Sequence, residues 1–197
     1  MSTRWFVSAV LVLVAAPVSG QSLPKDQQIT AALLAAPAEL REGARVLGWE
    51  AEGRVVELRA GSNDLVCLAD DPRDETFEVA CYHETLEPYM ARGRELRAQG
   101  VENTLAPRWE EIASGTLPMP TSPTTQYVLG GHPGATFDPA TGTAPGAVLR
   151  WNVHIPGATA ESTGLSTEYS PYAPWIMYPG TPGAHIMIVP PMPRGQQ

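Results

Sequence analysis

Two short segments near the C-terminus hold the residue types best suited to chemistry. Trp175-Ile176-Met177-Tyr178 and Ala184-His185-Ile186-Met187 flank a turn at Pro179 to Gly183. If they pair as an antiparallel hairpin with Tyr178 against Ala184, Met177 stands opposite His185 and Trp175 opposite Met187. Period-two alternation then sets all four side chains on one face. Imidazole and thioether groups suit Cu(I), and an aromatic ring can cover a soft cation. No cofactor is expected; the candidate metal set is His185, Met187, Met177 and Trp175, with Cu(I) as the ion it would suit. The competing expectation is plain packing, the ordinary role of Met and Trp on a sheet face. A one-residue slip in register would also divide the four between two faces. Ile176, Ile186 and Ile188 fall on the opposite side, which reads as core.

A second chemistry is general-base catalysis by His154 or His185, the basis of an alternative reading as a hydrolase. Nothing in the chain supplies its nucleophile by motif. Gly-x-Ser-x-Gly is absent, as are phosphate-loop and dinucleotide fingerprints. Asp138, Glu161 and Glu168 are candidate acids of a glycosidase-like cleft, with no spacing that pairs them. His83-Glu84-Thr85-Leu86-Glu87 resembles a zinc-enzyme fragment in outline, but its second ligand would be Glu87, and Pro88 follows at once. Pro disfavours helical geometry in the residue before it, so His83 and Glu87 are not expected on one helical face. Asp70-Asp71 with Asp74-Glu75 lacks the alternation and central glycine of a calcium loop and reads as a solvated acidic loop.

The elements that must position these groups follow from composition. The chain has 197 residues and a formal charge of −8, which argues against nucleic acid as a partner. Residues 1–20 read as a signal peptide: Arg4, an apolar run from Trp5 to Ala16, then Pro17 and the small residues Val18-Ser19-Gly20. Cleavage is expected after Gly20, giving a secreted or periplasmic protein with no membrane span. Cys67 and Cys81, an even count in an exported chain, are expected to form a disulfide. Residues 21–197 read as one domain. Charge is concentrated before Gly115, whereas residues 115–197 carry 14 of the 20 prolines and only five charged residues. Within that part, 115–147 reads as a loop-rich or flexible connection.

Periodicity predicts a helix over Lys25 to Ala36 and a β-hairpin of Ala44 to Glu50 with Arg54 to Arg59. Strands are predicted at Leu65 to Leu68 and around Phe77 to Cys81. A helix from about Pro88 to Gln99 would turn Tyr89, Met90, Gly93 and Leu96 inward, and a shorter one is predicted over Arg108 to Ser114. Tyr127 to Leu129, Ala147 to Ile155, Trp175 to Tyr178 and Ala184 to Val189 are the remaining strands. The fold class expected is α+β, a mainly antiparallel sheet with two or three helices on one face.

Three stretches, ITAALLAAPAEL with ARVLGW, LRAGSNDLVCLADDP, and PWIMYPGTPGAHIMIV, together give the chain a family likeness. It resembles a group of small exported bacterial proteins that carry no assigned function. The resemblance implies export, a single domain and no established activity, and it brings over no catalytic residue. The sequence therefore favours a non-enzymatic exported protein that binds a small ligand, a metal or a protein partner. A hydrolase using His154 or His185 is the alternative, and a structural envelope protein is a third reading.

Overall fold

The computed structural model describes residues 22–51 and 53–191. The expected leader with its Gly20 cleavage point lies outside the described residues, as does Glu52 of the first hairpin turn. The elements are α1 (Lys25–Leu33), β1 (Arg45–Trp49), β2 (Val55–Arg59), β3 (Leu65–Leu68), β4 (Glu78–His83), α2 (Glu87–Ala98) and α3 (Leu105–Ala113). They continue as β5 (Thr124–Gly130), β6 (Val148–His154), α4 (Ala160–Thr163), β7 (Trp175–Met177) and β8 (His185–Ile188). All eight strands join one sheet in the order β2-β1-β3-β4-β5-β6-β8-β7. Among these eight strands only β1 and β3 pair with each other in parallel. The architecture is α+β with a mostly antiparallel sheet. No helix among the described residues is long and apolar enough to cross a membrane.

Successive residues of a strand point to opposite faces, and β4 shows what covers each. Cys81 and Val79 belong to an apolar core with Ala31 and Ala32 of α1. Tyr82, between Cys81 and His83, joins Val66, Leu47 and Leu86 instead, with Met90 of α2 packed against them. Helices therefore cover both faces, α1 one and α2 with α3 the other, rather than a single face as expected. The reason lies in the connections. α1 precedes the sheet and is pinned to β1 by Gln28, whose amide oxygen accepts from Trp49 N–H at 2.8 Å and whose amide nitrogen donates to Trp49 O at 3.0 Å. α2 follows β4 after one 3-10 turn, Glu84–Leu86, and folds back over the opposite side.

Cys67 and Cys81 are direct cross-strand partners on β3 and β4 with sulfurs at bonding distance, 2.11 Å. Both are fully buried. Residues 115–147, expected to be a loop-rich or flexible connection, contain β5, which pairs with β4 over Gln126 to Gly130 and with β6 along its whole length. That strand makes the two compositional halves one continuous sheet.

Candidate functional site

The C-terminal hairpin has the register its sequence suggests: Trp175 pairs with Met187, Ile176 with Ile186 and Met177 with His185. The strand order adds a partner that local reading does not supply. β8 lies between β7 and β6, so His154 pairs with His185 and Asn152 with Met187. β5 extends these rows with Thr124 beside His154 and Gln126 beside Asn152. The two imidazoles stand with ring centroids 5.3 Å apart. His185, Met187 and Trp175 are buried and Met177 is half-buried.

This face is roofed from above. Tyr89 of α2 meets His154 edge-on at 6.2 Å, and Trp109 of α3 meets Tyr178 at 5.3 Å, with Tyr178 in turn 5.7 Å from His185. Gly183 admits Trp109: a Cβ there would stand 2.5 Å from the indole nitrogen. The opposite side of the hairpin corrects the sequence expectation of a uniform isoleucine core. Ile176 is buried, but Ile186 and Ile188 are only half-buried and Trp151 of the same face is exposed. The physical cause is that α1 packs against β1 to β4 and does not extend over β6 and β8. The polar row is thus better sealed than the isoleucine row.

Hydrogen bonding orients both imidazoles. A carbonyl oxygen can only accept, so Nδ1 of His185, 2.8 Å from Gly183 O, carries its proton. Nε2 of His154 likewise donates to Gln126 Oε1 at 3.1 Å. Each ring is left with one bare lone pair, Nε2 on His185 and Nδ1 on His154. His154 is 4% exposed, and its Nδ1 has no hydrogen-bond partner among the described residues. Burial, reinforced by His185 and then by Arg108, pushes the His154 pKa down to about 3. Burial also lowers that of His185, against the hydrogen bond to Gly183 that raises it. Both rings are therefore neutral at ordinary pH. Trp109 Nε1 and Asn152 Oδ1, on the same roofed face, are also buried without partners among the described residues. A buried polar atom left unpaired costs about 1–3 kcal/mol, so this concentration calls for a reason.

The other candidates fare differently. Neither imidazole hydrogen-bonds a serine, a threonine or a carboxylate among the described residues. His83 ends β4, and its Nδ1 accepts from Thr85 N–H, while Glu87 binds Arg94 and accepts from the Tyr82 hydroxyl. The two do not form a metal pair. Asp138 is held in its own turn by Ala140 N–H and Thr141, which lower its pKa, and Glu161 stands in the first turn of α4. Glu168 is exposed. In the acidic loop Asp71 binds Arg73, Asp74 binds Arg97 and Asp70 accepts from Glu78 N–H. Burial first, then the charges of Asp74, Asp71 and Glu78, raises the Asp70 pKa to about 6. Among the described residues no three His, Cys, Asp or Glu side chains converge as a metal site. The cluster at hand is two imidazoles with thioethers.

Sequence reading missed Gln126, Asn152 and Trp109. A faint signal existed for Gln126: Thr124 and Gln126 are polar at period two in a strand whose later residues are apolar. No family model, curated protein or solved structure matches this chain.

Proposed function

We propose that this is an exported, non-catalytic binding protein of the kind its sequence resembles, that its leader is removed after Gly20, and that its folded domain takes up a soft monovalent metal, Cu(I). The ligands are the lone pairs of His154 and His185 and the thioether of Met187, with Met177 and Trp175 at the rim. The observation that carries this reading is the paired, oppositely tethered imidazoles. Metal-binding histidines characteristically donate their second ring N–H to a carbonyl or another acceptor, which fixes the tautomer. Here Gly183 O and Gln126 Oε1 play that part. The 5.3 Å between ring centroids lies within the about 6 Å that two imidazoles can span when one ion sits about 2 Å from each nitrogen. Thioether donors and the lack of a converging carboxylate select Cu(I) over hard divalent ions. The Cys67–Cys81 pair supports an oxidising compartment.

The test is anaerobic titration of the protein starting at Gln21 with Cu(I) and with Ag(I), following Trp fluorescence, melting temperature and competition with a Cu(I) chelator. One equivalent should bind, quench fluorescence and raise the melting temperature, while Zn(II) at the same concentration does neither. His154→Gln and Met187→Leu, each checked for a native circular dichroism spectrum, should weaken Cu(I) binding at least tenfold. No response to Cu(I), or a response unchanged in both variants, overturns the metal assignment.

A further inference from the structure

A second site lies on the same face, closer to the centre of the sheet, and rests on the charge balance of one arginine. Arg108 of α3 is the one buried arginine among the described residues, 8% exposed. Its Nε donates to Thr104 O at 2.9 Å, one Nη to Tyr89 O at 3.1 Å and the other to Thr104 Oγ1 at 3.2 Å. The guanidinium also lies 4.0 Å over the Tyr89 ring. None of these partners carries a charge. Five N–H groups are available, so one on each terminal nitrogen has no protein acceptor among the described residues.

Arg108 lines a cavity of about 180 Å³ between α2, α3 and the sheet. The other charged groups around it are matched. Arg94 is held by Glu87, Arg97 by Asp74, Asp71 by Arg73 and Glu78 by Arg150. Arg108 alone faces the cavity uncompensated. A buried ion without a counter-ion is costly, so a fold retains one where something completes it. The fold also makes room for it. A Cβ on Gly93, in the middle of α2, would stand 2.9 Å from Arg108 Nη1. Glycine destabilises a helix interior relative to alanine, and here it leaves space for the guanidinium.

We infer that this cavity binds a small monocarboxylate with an apolar body. Two free N–H groups on one planar fork match the two oxygens of a carboxylate. Trp49, Leu68, Ala80 and Met90 form the apolar walls. The single uncompensated charge matches a monoanion; a dianion such as phosphate would bring a second negative charge that no free cation on the lining meets, since Arg94 and Arg97 are already paired. The volume compares with the roughly 150 Å³ cavity that takes up one benzene molecule, so benzoate and butyrate are fitting probes.

Neither imidazole lines this cavity, although Gln126 borders both sites and Tyr89 touches both His154 and the Arg108 guanidinium. The experiment is calorimetric titration of the metal-free protein with benzoate, butyrate, benzamide and inorganic phosphate. Saturable binding of the two carboxylates, at least tenfold tighter than benzamide or phosphate, is expected. It should be lost in Arg108→Met and weakened at least fivefold in Gly93→Ala, which retains the guanidinium but crowds Nη1. His154→Gln should bind carboxylate as the parent does, which keeps this result apart from the metal titration. Equal binding of benzoate and benzamide, preference for phosphate, no binding of either carboxylate, or carboxylate binding unchanged in both Arg108→Met and Gly93→Ala would overturn the proposal.

Discussion

The two ends of this sheet are built on opposite principles. Under α1, the faces of β1, β3 and β4 carry Val46, Cys67, Val79 and Cys81, closed by small alanines and cross-linked by the cysteine pair. Under α3, the faces of β5, β6 and β8 carry Gln126, Asn152, His154 and His185, with a buried arginine overhead. All three partnerless buried side-chain atoms found among the described residues belong to this second region. A fold tolerates such groups at a cost, and functional sites are where local stability is commonly given up. The contrast teaches that the N-terminal end is closed by apolar packing and a cysteine pair, while the C-terminal end holds the buried polar groups left without protein partners among the described residues.

That contrast can be broken most forcefully by acid. A histidine whose folded pKa is below its unfolded value binds more protons when unfolded, so its contribution to stability is lost as pH falls. For His154 the window runs from 6.5 down to about 3. The loss across it is on the order of 4 kcal/mol. His185, also lowered, acts in the same direction. Asp70 opposes them: its raised pKa relieves a penalty as pH falls from about 6 toward 3.8. Urea unfolding at pH 7 and pH 4 should show the net loss, and His154→Leu should remove most of it. A pH profile unchanged by that substitution would mean the C-terminal face is not where acid acts.

Next in size is the disulfide. The cysteines are 14 residues apart in sequence, and opening a loop of that length costs about 3 kcal/mol. Thermal melts of Cys67→Ala with Cys81→Ala should show this loss, and the still-folded variant should bind Cu(I) and benzoate as the parent does. Loss of binding without loss of fold would contradict the division into anchor and site.

A matched pair of core substitutions sharpens the comparison further. Leu65 is buried in the α1 core, and Leu65→Ala should cost about 2–5 kcal/mol. His154→Leu at pH 7 removes one hydrogen bond to Gln126 together with the partnerless Nδ1, so its cost should stay within about 1 kcal/mol. Equilibrium unfolding of both variants decides it. A His154→Leu loss as large as that of Leu65→Ala would make the histidine an ordinary structural residue.

How much of this was legible beforehand differs by region. Between Lys25 and Leu68 the alternation of apolar residues and the turn chemistry mark α1, the first hairpin and β3 to within a few residues of their observed bounds. Pro88 and Gly100 bracket α2 in the same way, because each acts on the backbone within a turn of itself. The hairpin itself was legible from its turn, but its register was a condition, Tyr178 against Ala184, that only the observed pairing of Met177 with His185 meets. Gly93 stood in the predicted inward stripe of α2 without a stated reason, and the structure supplies it in Arg108. A lone helical arginine, read locally, is indistinguishable from a solvated one.

The amino-acid sequence by itself determined the α+β class, most element positions, the cysteine pairing and the face shared by His185, Met187, Met177 and Trp175. These follow from periodicities of two and 3.6 residues and from contacts close along the chain. Only the tertiary structure decided that β8 lies between β6 and β7, which sets His154 against His185 across 31 residues of sequence. It alone decided that α3 would seal the polar face while Ile186 and Ile188 stayed half-exposed, and that Arg108 would be buried without a counter-ion. Those outcomes depend on which surfaces compete for cover once the whole chain has collapsed, a sum over distant contacts that no local spacing encodes.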